Sequence, residues 1–142
     1  MADIALRTAN KIENVQGSPS LQLTLPAGAN IVAGQAVSID ATTGNFVLAT
    51  NARVYGIALH TKRTGEGLTA VRVGILEGYV LDAVAYDADV FLGGLGQAGG
   101  TATGNLNAVA GTPSVRVGRV IPGTYNRSGA SPDKLLFVDC QQ

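Results

Sequence analysis

The chain lacks most of what a chemically active or externally stapled protein displays. In 142 residues there is no tryptophan, one methionine, one cysteine (Cys140), one histidine (His60) and seven Tyr or Phe side chains. A single cysteine rules out an intrachain disulfide and fits a reducing folding compartment. One His with one Cys cannot assemble a zinc site of the usual kind. Charge is scarce too: 14% of residues are Asp, Glu, Lys or Arg, against a typical ~25%. Ten basic residues balance ten acidic ones, so there is no basic excess to displace counterions from a nucleic acid. No apolar run approaches the ~18–20 residues of a membrane helix. The opening residues, Met1 to Arg7, lack a basic segment followed by an apolar one. The expectation is a protein made in the cytoplasm, with neither nucleic acid nor membrane as partner and no cofactor.

What the chain does have is small apolar residues and turns. Its apolar content is 46%, mostly Ala, Val and Leu, and it carries nineteen glycines. A single domain of this size buries roughly two-thirds of its unfolded surface, so it folds without a metal or staple. A surface so poor in charge also suits extensive contact between subunits.

Short β-type runs bounded by Gly, Pro, Asn, Asp or Thr follow one another, and no segment reads as a helix. They are Gln35–Asp40, Phe46–Ala49, Val54–His60, Leu68–Glu77, Tyr79–Val84, Asp89–Leu92, Ser114–Ile121 and Lys134–Cys140. This punctuation predicts an all-β fold, a compact antiparallel β-sandwich or barrel. Residues 41–45 read as a hairpin loop with Gly44 at positive φ. Val54–His60 is expected to pair with the run beyond Thr64–Gly67, with Val71, Val73 and Ile75 on one face. Residues 93–112 read as a long loop or a weak strand pair around Leu106 and Val109.

Residues 1–25 differ from the rest and read as an extended N-terminal arm on a domain of residues 26–142. Ile4, Leu6, Ile12, Val15, Leu21, Leu23 and Leu25 nearly alternate with polar positions, which suits an extended arm or an added strand. Such an arm folds back on its own domain or pairs with a neighbour's sheet edge.

The motifs point away from chemistry. Gly94-Leu95-Gly96-Gln97-Ala98-Gly99 spells G-x-G-x-x-G, but a dinucleotide site also needs a helix at that turn and an acid ~20 residues on. Gly100–Asn105 cannot supply that helix, so the stretch reads as a flexible loop. His60 has no nucleophile elbow to serve and reads as a strand-end residue, Cys140 as a small core or strand-end residue. Asp82, Asp87 and Asp89 lack the spacing of a calcium loop; Tyr86–Asp89 reads as a turn. Glu77, Asp82, Asp87 and Asp89 make an acidic stretch, and Arg116, Arg119, Arg127 and Lys134 a basic one. These are two solvated faces or complementary surfaces that meet between subunits. The phrase Val-Arg-Val-Gly occurs at residues 71–74 and 115–118, hinting at corresponding sheet positions.

The order of phrases carries a resemblance. Ala33-Gly34-Gln35-Ala36-Val37, Ala41-Thr42-Thr43-Gly44, Val54-Tyr55-Gly56-Ile57-Ala58, Val73-Gly74-Ile75-Leu76-Glu77-Gly78 and Val117-Gly118-Arg119-Val120-Ile121 form a series. It resembles the decoration, or cement, proteins of tailed-bacteriophage heads, over about residues 31–140. The resemblance implies a structural, non-enzymatic protein on the outer surface of the virion capsid, commonly a homotrimer, which clamps neighbouring capsomers of the major capsid protein. It implies no catalytic residue. The candidate capsid or subunit contacts are Arg7, Lys11, Ile12 and Val15 in the arm, with Gln97 and Arg127 in the two long loops. The alternative reading is a carbohydrate- or host-surface-binding β module of a phage virion, for which Tyr55, Tyr79, Tyr86 and Tyr125 are the available platforms. A small hydrolase built on His60 is the third.

Overall fold

The computed structural model describes residues 3–15, 21–49, 53–97, 104–112, 114–123 and 133–140. Among them there is no helix, and ten strands form one antiparallel sheet curled into a half-barrel. The strands are β1 (Glu13–Asn14), β2 (Leu21–Pro26), β3 (Ala36–Ile39), β4 (Phe46–Leu48), β5 (Gly56–Ala58), β6 (Gly67–Glu77), β7 (Asp89–Leu92), β8 (Leu106–Asn107), β9 (Arg116–Pro122) and β10 (Lys134–Asp139). The path runs β4-β3-β5-β6-β10-β9-β7-β8, and β1 and β2 add to β6 from its other edge.

Strand β6 organises everything else. One edge takes β2 along Gly67–Val73 and β1 at Leu76 and Glu77. The opposite edge is shared: β5 pairs with Ala70 and Val71, and β10 with Val73 to Leu76. Leu21 pairs with Val73 but the next residue, Gln22, pairs with Val71. Arg72 is therefore the extra residue of a β-bulge, which bends the strand and changes which side chains share a face. Its carbonyl accepts a hydrogen bond from the Cys140 amide at 3.0 Å.

Two cores lie on the two sides of this strand. The smaller packs Ala27, Ile31, Val37, Phe46, Ala58, Leu68 and Ala70 inside β2, β3, β4, β5 and the first half of β6. A bridge between Ala27 and Phe46 ties the end of β2 to β4. The larger core takes Val71 and Leu76 from β6 with Leu136 and Val138 of β10, Val117 and Val120 of β9, Val90 and Leu92 of β7 and Leu106 of β8. Each fully buried Leu, Val, Ile or Phe contributes about 1.5–3 kcal/mol of transfer free energy.

The bulge corrects the expected facing of β6. Regular alternation would put Val71, Val73 and Ile75 together. Instead Val71 and Leu76 are both fully buried in the larger core, while Val73 and Ile75 are only half-buried on the other side. A second bulge repeats the device in β9. Val90 pairs with Gly118 and Phe91 with Arg116, leaving Val117 as the extra residue. The two Val-Arg-Val-Gly phrases do occupy corresponding positions, because Val138 of β10 pairs with Gly74 on one side and Gly118 on the other. Gly118 has to be glycine: a Cβ there would collide with the carbonyl of Phe137.

The expected strand at Tyr79–Val84 does not form. Gly78 takes φ 135°, with no room for a side chain beside the Lys11 carbonyl, and turns the chain out of β6. Tyr79, Leu81 and Val84 are buried all the same, with only an isolated bridge from Tyr79 to Leu6, so their apolar pattern signals packing more than a strand. The β3–β4 hairpin, the β5–β6 pairing and positive φ at Gly44 are as expected. Among its described residues the soft stretch holds one short strand, β8, at Leu106, while Val109 lies outside it.

Candidate functional site

The N-terminal stretch is stitched to its own sheet over its described length. The Ile4 amide donates to Leu106, Arg7 to Gly78 and Val15 to Ile75, and the Val80 amide donates to Ala5. Ile12 is 7% exposed and belongs to the larger core, so its side chain faces inward. Arg7 is ion-paired with Glu77 at 3.1 Å and Lys11 with Glu13 at 3.4 Å. Val15 is 40% exposed. Gln97 is also a structural residue: its amide oxygen accepts from the Leu95 N–H, and its nitrogen donates to the carbonyls of Leu92 and Val109. That clamp folds the turn at Gly94 and Gly96, both at positive φ, and Gln97 is 5% exposed. Arg127 lies outside the described residues.

Strand register assembles a surface that the sequence did not announce. Directly paired residues in an antiparallel sheet point to the same face. The face opposite the larger core therefore shows Leu21 beside Val73, Val15 beside Ile75, Ile75 beside Phe137, and Leu135 beside Ile121. Leu21 is 54% exposed. Val73, Ile75, Leu135, Phe137 and Ile121 are half-buried and pack into neither core. An apolar patch thus runs across β1, β2, β6, β10 and β9 on the solvent side.

Ion pairs rim this patch. Arg7–Glu77 and Lys11–Glu13 stand at its β1 side. At the β9–β7 side Arg116 meets Asp89 at 2.9 Å and Arg119 meets Asp87 at 3.1 Å. Two residues of the acidic stretch and two of the basic one therefore meet within one chain. Lys134 completes the local pattern by donating to the carbonyls of Val84 and Asp82 and lying over the Tyr86 ring at 5.1 Å. Exposed pairs of this kind contribute about 0.2–1 kcal/mol each; their larger consequence is that most of the charge around the patch is paired, with Asp139, beside Val73 on the same face, in none of these pairs. An apolar centre, a polar rim and few uncompensated charges are the anatomy of a protein–protein interface.

The remaining candidates have structural places. His60 is exposed at the end of the β5 run. Cys140 is 2% exposed, its Sγ 3.6 Å from the Val117 carbonyl. Burial, reinforced by the Asp139 charge, pushes its thiol up to about 12. Tyr79 is buried with its hydroxyl donating to Gly34 at 2.5 Å, and burial raises its pKa well above the phenolic range. Arg72 covers Tyr55 at 5.7 Å, and Tyr125 lies outside the described residues. Among the described residues no group of three or more His, Cys, Asp or Glu side chains is placed to hold a metal ion.

Comparison of the chain with protein-family profiles, characterised proteins and solved structures finds no match.

Proposed function

We propose that the chain is a structural capsid decoration protein, which binds the outer surface of a tailed-phage head and stabilises contacts between capsomers of its major capsid protein. The observation that carries this reading is the apolar outer face of β6, β10 and β9 with its largely ion-paired rim. The series of strand phrases that resembles head cement proteins supports it independently. A rigid sheet presenting a preformed apolar patch docks with little ordering cost. Repeated over many sites on a shell, individually weak contacts add through avidity. On this reading the protein is made in the host cytoplasm, associates with itself as a trimer and acts without catalysis or cofactor.

The test is co-sedimentation with expanded heads of the phage that encodes the chain, with the native mass measured in parallel by light scattering. The wild-type chain is expected to pellet with heads. Ile75→Asp and Phe137→Asp, which place a charge on the outer face and leave both cores intact, are expected to stay in the supernatant with unchanged circular dichroism. Absence of wild-type binding removes the decoration reading. Wild-type-like pelleting of both variants removes this face as the docking surface.

A further inference from the structure

We propose that the wedge where the sheet divides at Arg72 is a binding site for a carboxylate carried on a short carbon stem. The site follows from topology. Strands β5 and β10 share one edge of β6, and the bulged Arg72 stands between the residues paired to each. The opening is a cleft of about 250 Å³, with Ser38, Ile39, Arg53, Tyr55, Arg72 and Cys140 among its lining residues.

Its two arginines have no carboxylate at ion-pair distance among the described residues. Arg7, Lys11, Arg116 and Arg119 each have a carboxylate partner within the chain. Arg53 and Arg72 are not ion-paired among the described residues, yet both line this one cleft. Two like charges held in a confined space repel, and an anion between them relieves that repulsion. Asp139 is ion-paired with neither arginine: it pairs with Val73 and stands on the outer face with it. The buried Cys140 thiol stays neutral and does not compete.

The geometry favours a planar anion on a carbon stem. Arg72 is half-buried and held over the Tyr55 ring, 5.7 Å from its centroid, so its fork is oriented before a ligand arrives. A guanidinium fork matches the two oxygens of a carboxylate. Ile39, 44% exposed in the same lining, gives an apolar contact for the methylenes behind that group. An Asp or Glu side chain, a chain-terminal carboxylate or a small aliphatic carboxylate satisfies all three features. The inference does not rest on the head-surface reading, because the cleft and the apolar face are different surfaces with different chemistry.

The experiment titrates the full chain with N-acetyl-glutamate methylamide, which carries one carboxylate, and follows arginine side-chain and tyrosine ring NMR signals. The matching glutamine compound and inorganic phosphate serve as comparison probes. A saturable change confined to Arg53, Arg72 and Tyr55 is expected, with affinity in the millimolar range appropriate to one small anion. Arg72→Gln and Arg53→Gln are each expected to weaken it about tenfold or more while their amide spectra keep the native pattern. Arg72→Lys, which keeps the charge and loses the fork, is expected to fall between. No saturable change, an equal response to the glutamine compound, or phosphate preferred over the carboxylate each overturns the proposal.

Discussion

The two halves of β6 obey different rules. From Gly67 to Val71 the strand alternates regularly: Leu68 and Ala70 enter the smaller core, and Val71 turns to the larger one. Beyond Arg72 the alternation resumes one residue out of step, so Leu76 enters the larger core and Val73 and Ile75 stay outside it. One inserted residue lets a single strand serve two cores, and it leaves two β-branched side chains on the solvent face. The proposed docking surface is a by-product of that shift. The proposed carboxylate cleft sits at the same point, where the bend parts β5 from β10.

The largest effect is expected from charging the two sides of the second half. Leu76→Asp buries a carboxylate in the larger core and is expected to cost at least ~4 kcal/mol, enough to unfold much of the population. Ile75→Asp is expected to change stability by less than about 1 kcal/mol. Chemical denaturation of both variants decides it; the reverse order would mean that the strand runs without its bulge.

Next comes the independence of the two cores. Phe46→Ala, in the smaller one, is expected to cost about 3–5 kcal/mol, and Leu136→Ala, in the larger, about 2–5 kcal/mol. Hydrogen exchange separates them better than the totals do. Phe46→Ala is expected to release protection first in β3 and β4, and Leu136→Ala in β9 and β10. Uniform loss in both variants would show one cooperative unit joined through β6.

A smaller effect is expected at high pH, and only through the larger core. The folded chain holds the Cys140 proton up to about pH 12, whereas the unfolded chain releases it in the ordinary thiol range near ~8.5. Between those values the unfolded state binds fewer protons, so stability falls as pH rises. Buried Tyr79, also shifted upward, adds to the loss above the phenolic range. Cys140→Ala is expected to flatten the alkaline decline between about pH 9 and 12 in denaturant titrations; an unchanged slope would place the effect elsewhere.

Much of the strand inventory was legible because its signals are local. Asp89–Leu92 is a strand over the expected residues, and the runs at Ala36, Phe46, Gly56, Gly67, Arg116 and Lys134 begin or end within two residues of expectation. Each is closed by Gly, Pro or a short polar turn, whose backbone preferences act on nearest neighbours. The Tyr79–Val84 run misled because burial and pairing leave the same apolar trace in sequence. Of the six candidate contact residues, Val15 stands on the exposed apolar face, Arg7 and Lys11 on its rim, and Ile12 and Gln97 inside, while Arg127 lies outside the described residues. Gln97 looked available because a polar residue in a glycine-rich loop usually faces water; three backbone partners hold it in.

Composition, turn residues and apolar runs by themselves determined an all-β chain of short antiparallel strands, because those preferences are fixed within a few residues. Tertiary structure alone decided which side of β6 is inside. Val73, Gly74, Ile75 and Leu76 carry no alternation strong enough to choose a face. The choice falls to Leu21, Gln22, Leu136 and Val138, whose pairing places the bulge at Arg72. A one-residue slip exchanges the two faces of a strand, so the outer patch and the wedge exist only once those distant strands have docked.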